Sequence, residues 1–310
     1  MSLEEELAGL SPAKGTLLTI GVFDGVHLGH QHLLAELVKK ARFEGLISGV
    51  VTFRQHPRSL FEPRSNPQFL TSLPRKIRLL KDSGVELIVP LNFTAELAQI
   101  GIHQFMGLLK SHLRMRGLVV GPDFAMGRNR EGNIDTLRTL ERSMDFSLTV
   151  VPPVASNGEL ISSTIIRDAL ARGDIKKVND MLGRYFRLEG RVIAGSGRGV
   201  NLGFPTANLD IDPGQALAAD GVYATLAYID DQPLQSVTHI GKRLTFGETE
   251  RTVEVHIIDF AGDLYRRNLK IDIIEKIRDE RGFGSADELS QQMAKDVIKA
   301  RAVLGRLSGK

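Results

Sequence analysis

The sequence contains no cysteine. Disulfide bonds, zinc sites with cysteine ligands and thiol catalysis are therefore excluded. No apolar run reaches the roughly 18 residues that would indicate a membrane-spanning helix. The first segment, MSLEEELAGLSPAKG, is acidic and lacks the basic start and apolar core of a signal peptide. We therefore expect a cytoplasmic protein that has no membrane partner.

The sequence also lacks a strong excess of charge of one sign. Its 40 Lys and Arg residues against 37 Asp and Glu residues leave a formal net charge of +3. The basic residues are scattered, so a nucleic-acid-binding surface is only weakly indicated. We expect no nucleic-acid partner, and anionic small molecules such as nucleotides fit this balance equally well.

The length of 310 residues favours about two domains, and the first half has an alternating pattern. From residue 17 to about residue 182, short apolar runs alternate with helical spacing, which predicts a parallel sheet flanked by helices. Predicted strands are Leu17–Val22, Ser48–Phe53, Leu87–Pro90, Leu118–Gly121 and Leu148–Val151, and predicted helices are Gly29–Arg42, Pro74–Asp82, Thr94–Leu113 and Asp135–Ser143. Ligands of such sheets bind at the carboxyl ends of the strands.

After Gly183 the pattern changes to short strands with alternating apolar and polar residues. The predicted strands are Leu188–Ala194, Gly221–Ile229, Leu234–Ile240, Arg251–Phe260 and Leu269–Ile274. They indicate a small antiparallel β-barrel, which a C-terminal helix, Ala286–Leu304, follows. We therefore predict an α/β domain at residues 1–182 and a barrel domain at residues 183–310.

The first candidate site is the segment GVFDGVHLGH, residues 21–30, between the first strand and its helix. Its glycines permit close approach of backbone to a phosphate, and a helix start offers free N–H groups. Two histidines three residues apart suit an electrophilic role at a phosphoryl group, and the aspartate suits orienting one of them or a ligand hydroxyl. The catalytic candidates are His27 and His30; the nucleotide-binding candidates are Gly21, Phe23, Asp24, Gly25 and Gly29. The alternative is a helix cap with two surface histidines.

A second helix start, ISSTIIR at residues 161–167, follows the last strand of the first half. Its hydroxyl residues are good helix caps, and its arginine lies on the first turn. The nucleotide-binding candidates here are Ser162, Ser163, Thr164 and Arg167. They suit a clamp for the β- and γ-phosphates of a nucleotide, and the alternative is a simple cap with a solvated arginine.

The barrel half contains GSGRG at residues 195–199, followed by NLGFPTAN at residues 201–208. The glycines around the arginine suit wrapping N–H groups about a nucleotide phosphate, with Gly195, Gly197, Arg198 and Gly199 as candidates. Thr206 and Asn208 offer two neutral oxygens that point the same way if the segment is extended. Such hard ligands suit Mg²⁺ that is held mainly by phosphates and water. The alternative is an ordinary turn.

These segments, together with GPDFAMG at residues 121–127, resemble those of the HxGH nucleotidylyltransferases. The first half is most similar to the Rossmann-like adenylyltransferase half of bacterial bifunctional riboflavin kinase/FAD synthetases. The run from residue 195 to residue 208 resembles the flavokinase signature, in which Thr and Asn of the PTAN segment hold the metal. The resemblance implies that Glu254, in a later strand, is the base for the riboflavin 5′-hydroxyl.

The resemblance also implies flavin contacts, for which the candidates are Asp123, Phe124, Phe204 and Phe283. Core packing is an equal alternative for the last two. The implied activities are phosphorylation of riboflavin to FMN by ATP and adenylylation of FMN to FAD, with Mg²⁺ as the metal. The sequence departs from the family pattern at Arg54, Ala125, Met126, Ile165, His239 and Leu244. The changes at residues 54, 125 and 165 motivate an alternative in which only the kinase is active. The first half would then be a regulatory flavin- or nucleotide-binding module, and assembly into a homo-oligomer stays open.

Overall fold

The computed structural model describes residues 3–57, 60, 68–156, 158–195, 197–245 and 248–307, without the side chains of residues 198, 201, 243–245 and 248–250. Contacts divide the chain into two units, residues 1–163 and 164–310. Within the described ranges, no helix has the length and apolarity that crossing a membrane requires.

A five-stranded parallel sheet forms the centre of the first unit. The strands of this unit are β1 (Thr16–Ile20), β2 (Ile47–Phe53), β3 (Leu87–Leu91), β4 (Met115–Val120), β5 (Ala125–Met126), β6 (Gly132–Asn133), β7 (Ser147–Val150), β8 (Ala155–Ser156) and β9 (Glu159–Leu160). The large sheet has the order β3-β2-β1-β4-β7, which confirms the five predicted strands. All residues of β1 are buried, as a central strand covered on both faces requires.

Helices cover this sheet. They are α1 (Leu3–Ala8), α2 (Leu28–Phe43), α3 (Leu73–Asp82), α4 (Ala95–Gln99), α5 (Ile102–Leu113) and α6 (Ile134–Ser143). The prediction of one helix over Thr94–Leu113 is wrong, because the chain is extended at Ile100. The Ile100 carbonyl accepts the Arg128 N–H at 3.0 Å, and the Glu131 carboxylate accepts the Ile102 N–H at 2.7 Å. These bonds replace those of a continuous helix.

The strand order places the predicted ligand-binding segments at one edge of the sheet. The strands after β1 are added on one side of it, as β2 and β3, and then on the other side, as β4 and β7. Such a change of side between β1 and β4 opens a crevice at the carboxyl ends of the strands. Residues 21–30 follow β1, and residues 121–127 follow β4. Both segments therefore lie at the crevice where this class of sheet binds ligands.

The second unit contains a closed antiparallel barrel. Its strands are β10 (Phe186–Ile193), β11 (Ala207–Asp210), β12 (Gly221–Ile229), β13 (Gln232–Thr245), β14 (Glu248–Ile257) and β15 (Asn268–Asp279), in the order β10-β11-β14-β13-β12-β15. Strand β11 was absent from the sequence prediction, because four residues are too few to show alternation. Pairing of β15 with β10 closes the barrel.

The helices described beside the barrel are α7 (Ser163–Arg172), α8 (Ile175–Leu182), α9 (Arg198–Asn201) and α10 (Ala286–Gly305). The predicted C-terminal helix is confirmed, and its Ala300 and Leu304 pack against the barrel. Helix α8 is fastened to the barrel by Asn179, which accepts the Phe186 N–H at 2.8 Å and donates to the Ile273 carbonyl at 3.0 Å. The second unit therefore begins before residue 183, and the boundary of the functional domains at residues 182/183 stays a prediction.

Candidate active sites

The loop between β1 and α2 has an unusual backbone. Phe23, Gly25 and Val26 have φ values of 51°, 78° and 37°. Gly25 adopts a positive φ without steric cost, whereas a β-branched residue such as Val26 does so rarely. Strained residues of this kind cluster at ligand sites, where surrounding contacts hold them. One such contact is the Gln31 side chain, which donates to the Val26 carbonyl at 2.9 Å.

The predicted histidines meet at the start of α2. The rings of His27 and His30 stack with centroids 3.7 Å apart and 16° between their planes. His27 is the N-cap, and its Nδ1 accepts the His30 N–H at 3.3 Å. Because this Nδ1 is an acceptor, neutral His27 carries its proton on Nε2. An ideal Cβ on Gly29 would lie 3.2 Å from that Nδ1, which explains the glycine between the histidines.

The rest of the loop is tied to its surroundings through Asp24. Its buried carboxylate accepts the Leu70 N–H at 2.8 and 3.1 Å, and its carbonyl accepts the Ser163 hydroxyl at 2.9 Å. Gly21 continues the sheet by donating its N–H to the Val51 carbonyl at 3.0 Å. The structure therefore uses Asp24 and Ser163, both predicted site residues, to hold the shape of the loop.

A buried lysine that the sequence analysis did not identify lies beneath this loop. Lys76 is 5% exposed, and its ammonium donates to the carbonyls of Val22 at 3.0 Å and Phe53 at 2.8 Å. Burial lowers the pKa of Lys76 to about 8, although the charge of Asp24 acts to raise it. The sequence does contain a signal for the burial of Lys76, since Leu73, Lys76 and Leu80 share one face of α3.

The remaining candidates of this half are more dispersed. Asp123 is exposed, whereas Phe124 is half-buried and packs against the core beside β4. Ser162 precedes α7 and is half-buried. Thr164 and Arg167 lie on α7 in the second unit, the former exposed and the latter half-buried.

In the second unit, the glycine segment packs directly on the PTAN segment. A Cβ on Gly195 would lie 2.1 Å from the Asn208 amide nitrogen, and one on Gly199 would lie 2.3 Å from the Phe204 carbonyl oxygen and 3.1 Å from the Thr206 hydroxyl. The structure thus brings together both predicted parts of the site.

Between Gly195 and Gly199, the backbone of Gly197 has a φ of 69° and caps α9. Ser196 and the Arg198 side chain lie outside the described part of the chain.

Glu254 lies in a row of three polar side chains across the barrel wall. It pairs with Asn208 of β11 on one side and with His239 of β13 on the other. Directly paired residues of antiparallel strands point to the same face, so the three side chains share a surface. His239 also lies 3.4 Å from a carboxylate oxygen of Glu280. His256, two residues after Glu254, bonds through Nδ1 to the Pro205 carbonyl at 2.9 Å.

A cavity of about 400 Å³ opens on this surface. Gly199, Phe204, Thr206, Glu254 and Phe283 all line it, together with side chains of α10. The two predicted aromatic residues are half-buried, and the guanidinium of Arg281 lies 4.8 Å from the centroid of the Phe283 ring. The lining combines apolar side chains with several polar and charged ones, as a site for an organic ligand with polar groups requires.

A second cavity, of about 490 Å³, lies on the other side of the PTAN segment. Its lining is mainly apolar, with Ile193, Val255, Leu264 and Tyr265 among the contributors, and it includes Gly195 and Thr206. Thr206 therefore lines both cavities. A group that binds Thr206 would lie between two ligands, one in each cavity.

An ion pair at the wall of the first cavity was also missed by the sequence analysis. Asp296 of α10 is 2% exposed and accepts the Nε–H of Arg278 at 3.1 and 2.9 Å. The Gln292 amide donates to the same carboxylate at 2.8 Å. The pair joins α10 to β15. The sequence alone does not show which residue of the helix faces which residue of the strand, since Arg278 and Asp296 are 18 residues apart.

Both halves of the chain match known protein families. Residues 10–165 match the family model described as FAD synthetase, and residues 182–304 match that of riboflavin kinase. The chain is 37% identical over 297 residues to the bifunctional riboflavin kinase/FMN adenylyltransferase of Escherichia coli strain K12, with 95% of each chain covered. It is 37% identical over 306 residues to the protein of that name from Pseudomonas fluorescens, with 98% of each chain covered.

A solved structure is similar over the same length. It is described as a macrolide-efflux protein from Streptococcus pneumoniae, and it matches with a TM-score of 0.88 and 30% sequence identity. The match covers 95% of this chain and 96% of that chain. The similarity extends through both units.

Proposed function

Because this chain belongs to the bifunctional riboflavin kinase/FMN adenylyltransferase family, we propose that its two reactions occur at the two sites described above. The enzyme phosphorylates riboflavin to FMN with ATP, and it transfers the adenylyl group of ATP to FMN, which gives FAD and pyrophosphate. Both family models are matched and the curated relatives are bifunctional, which supports this reading over the kinase-only alternative. We assign adenylyl transfer to residues 1–182 and the kinase to residues 183–310.

The adenylyltransferase site is the loop that follows β1. The start of α2 offers N–H groups to the phosphates of ATP, and the imidazole of His27 lies at this helix start. As the FMN phosphate attacks the α-phosphorus, charge develops on the phosphoryl oxygens and on the leaving pyrophosphate. The stacked histidines stabilise that charge, and no covalent intermediate with the enzyme is required. Ser162, Thr164 and Arg167 are proposed phosphate contacts, and Asp123 and Phe124 are proposed flavin contacts, on sequence grounds.

The kinase site lies around Thr206. Riboflavin occupies the cavity of about 400 Å³, with Phe204 and Phe283 beside its ring system. ATP occupies the second cavity, where apolar residues and Tyr265 contact the base and the glycine segment contacts the phosphates. Glu254 accepts the proton of the riboflavin 5′-hydroxyl as the γ-phosphoryl group is transferred. The observation that carries this assignment is that Thr206 lines both cavities.

Thr206 and Asn208 are proposed to hold Mg²⁺. Among the residues that the structure describes, no group of three or more His, Asp or Glu side chains could bind a metal ion by itself. The neutral oxygens of Thr206 and Asn208 fit a magnesium ion whose other ligands are phosphates and water. The missing Cβ of Gly195 leaves room for the Asn208 side chain beside the glycine segment. The metal would neutralise charge on the phosphates.

A pair of variants tests the separation of the sites. His27→Asn keeps a side chain that can cap α2 but removes the imidazole, and Glu254→Gln keeps the shape of the base but removes its charge. We expect His27→Asn to convert riboflavin to FMN and stop there. Glu254→Gln should convert added FMN to FAD but should phosphorylate riboflavin poorly. Chromatography of the flavins at timed intervals distinguishes these outcomes, and loss of both activities in either variant would contradict separate sites.

The cellular setting and the partners remain proposals. We propose that the enzyme works in the cytoplasm, because both reactions consume ATP. We propose that its partners are small molecules and that it binds no nucleic acid, since both cavities have the size of single ligands. Whether copies of the chain form a homo-oligomer is tested by light scattering of the purified enzyme.

A further inference from the structure

We propose that Lys76 is a positioning residue for adenylyl transfer, which holds the loop between β1 and α2 in the shape that presents His27 and His30. This inference rests on the proposed function, because it assumes that the loop binds ATP. Lys76 does not contact either histidine in the contacts described above; it acts on the backbone that carries them. It is a buried titratable group that has no role in the chemical step proposed above.

The contacts of the lysine lie at the exits of two neighbouring strands. Its ammonium donates to the Val22 carbonyl, which follows β1, and to the Phe53 carbonyl at the end of β2. The Val22 carbonyl also accepts the Thr52 hydroxyl at 3.0 Å. Lys76 therefore fixes the start of the loop relative to the adjacent strand.

The segment just before Lys76 holds the loop at a second point. Leu70 donates its N–H to the Asp24 carboxylate, which is 4% exposed. Val22 and Asp24 flank Phe23, and both bond to residues 70–76, Val22 through its carbonyl and Asp24 through its carboxylate. This double anchorage supports the left-handed conformation of Phe23, with φ 51° and ψ 33°.

Phe23 connects this anchorage to the histidines. Its ring centroid lies 5.0 Å from that of His30, with 56° between the planes. His30 in turn stacks on His27. A change in the backbone at Val22 or Asp24 would rotate the Phe23 ring and shift the ring of His30, so Lys76 controls the histidines through packed side chains.

A lysine suits this position because its compact ammonium donates to several acceptors at once. Removing it would take this donor from the part-buried Phe53 carbonyl and would leave the Val22 carbonyl with the Thr52 hydroxyl. Asp24 is the charged group that faces it from the loop. Beyond β2 the next residue is Arg54, which is exposed, and Arg75 and Arg78 lie on the helix of Lys76 itself.

The decisive variant is Lys76→Met in the full-length protein, assayed for both activities in one preparation. We expect kcat for FAD formation to fall roughly 10- to 100-fold, because misplaced catalytic groups lose rate on this scale. KM for ATP should change little, since the histidines act mainly on charge that develops in the transition state. Riboflavin phosphorylation should be unchanged and serves as the internal standard.

Two control variants, one in α3 and one in α5, separate positioning from simple loss of stability. Lys81→Met removes an exposed lysine and should keep both activities. Leu109→Ala truncates a fully buried side chain of α5 that belongs to a different core cluster from Phe23 and Val26 of the loop, so it should lower stability but largely preserve FAD formation in the folded fraction. FAD formation by Lys76→Met within twofold of wild type would overturn the proposal. An equal loss in Leu109→Ala would overturn it as well.

The wild-type pH profile tests the proposal without any variant. With a pKa of about 8, Lys76 keeps its proton in roughly one molecule of ten at pH 9. The ratio of FAD formation to riboflavin phosphorylation should therefore fall up to about tenfold between pH 7 and pH 9, and a flat ratio would overturn the proposal. His27→Asn distinguishes failure of the proposed ATP site from failure of the role of Lys76. If His27→Asn retains FAD formation, the proposed ATP site is wrong. If His27→Asn loses FAD formation while Lys76→Met retains it, only the role of Lys76 is contradicted.

Discussion

The imidazole of His27 caps α2 through Nδ1 while its ring stacks on that of His30, 3.7 Å away. One side chain thus completes the helix start and packs against the ring of a second histidine. Capping fixes the tautomer, and stacking fixes the direction of both rings. Electrostatic catalysis depends on donors that are already oriented when charge develops, and this arrangement provides such donors.

Gly29→Ala should impair FAD formation specifically. The new Cβ would lie 3.2 Å from Nδ1 and 3.3 Å from Cε1 of His27, so the ring must move. We expect a fall in kcat of roughly 10- to 100-fold, the scale of a displaced catalytic group, with unchanged riboflavin phosphorylation. Steady-state assays of both reactions measure this. Gly107→Ala, in α5, is the matched control because its Cβ would meet nothing within 4 Å. Equal rates in both variants would contradict the need for close packing here.

Gly199→Ala should have the opposite selectivity. Its Cβ would lie 2.3 Å from the Phe204 carbonyl oxygen, which forces the glycine segment away from Thr206. We expect riboflavin phosphorylation to fall at least about 100-fold, because the proposed phosphate and metal contacts separate, while FAD formation from added FMN continues. Gly305→Ala, where a Cβ meets nothing within 4 Å, should behave as wild type. Normal kinase activity in Gly199→Ala would disprove the proposed phosphate site.

The sequence predicted those features that depend on local spacing. His27 and His30 are three residues apart, so a helix start brings them together in any fold. Glu254 was identified only through the family resemblance, because its row with Asn208 and His239 depends on the register of three strands. Lys76 could not be placed, since its contact with Val22 spans 54 residues.

Asp296→Asn should destabilise the second unit. The carboxylate is 2% exposed and accepts two hydrogen bonds from Arg278, so the variant leaves a poorly compensated buried cation. We expect the free energy of unfolding to fall by about 3 kcal/mol. KM for riboflavin should rise, because both residues line the first cavity.

Tyrosine fluorescence during urea unfolding measures this loss selectively. The protein has no tryptophan, and its four tyrosines, Tyr185, Tyr223, Tyr228 and Tyr265, all lie in the second unit. The control is Asp259→Asn, which breaks the exposed pair with Arg301 and should cost less than about 1 kcal/mol. Similar losses in the two variants would mean that burial does not strengthen the Arg278–Asp296 pair.

The titration of Lys76 should make stability and activity respond to pH in opposite directions. Its pKa is about 8 in the folded protein, whereas a lysine in the unfolded chain titrates near about 10.4. Between these values the unfolded chain binds more protons, so the contribution of Lys76 to the free energy of unfolding rises with pH, by about 3 kcal/mol in total. Calorimetry at pH 7, 8, 9 and 10 should therefore show wild type gaining stability relative to Lys76→Met, while its FAD formation declines over the same range. Lys81→Met should follow the wild-type curve. Parallel curves for wild type and Lys76→Met would show that the buried lysine does not titrate in this window.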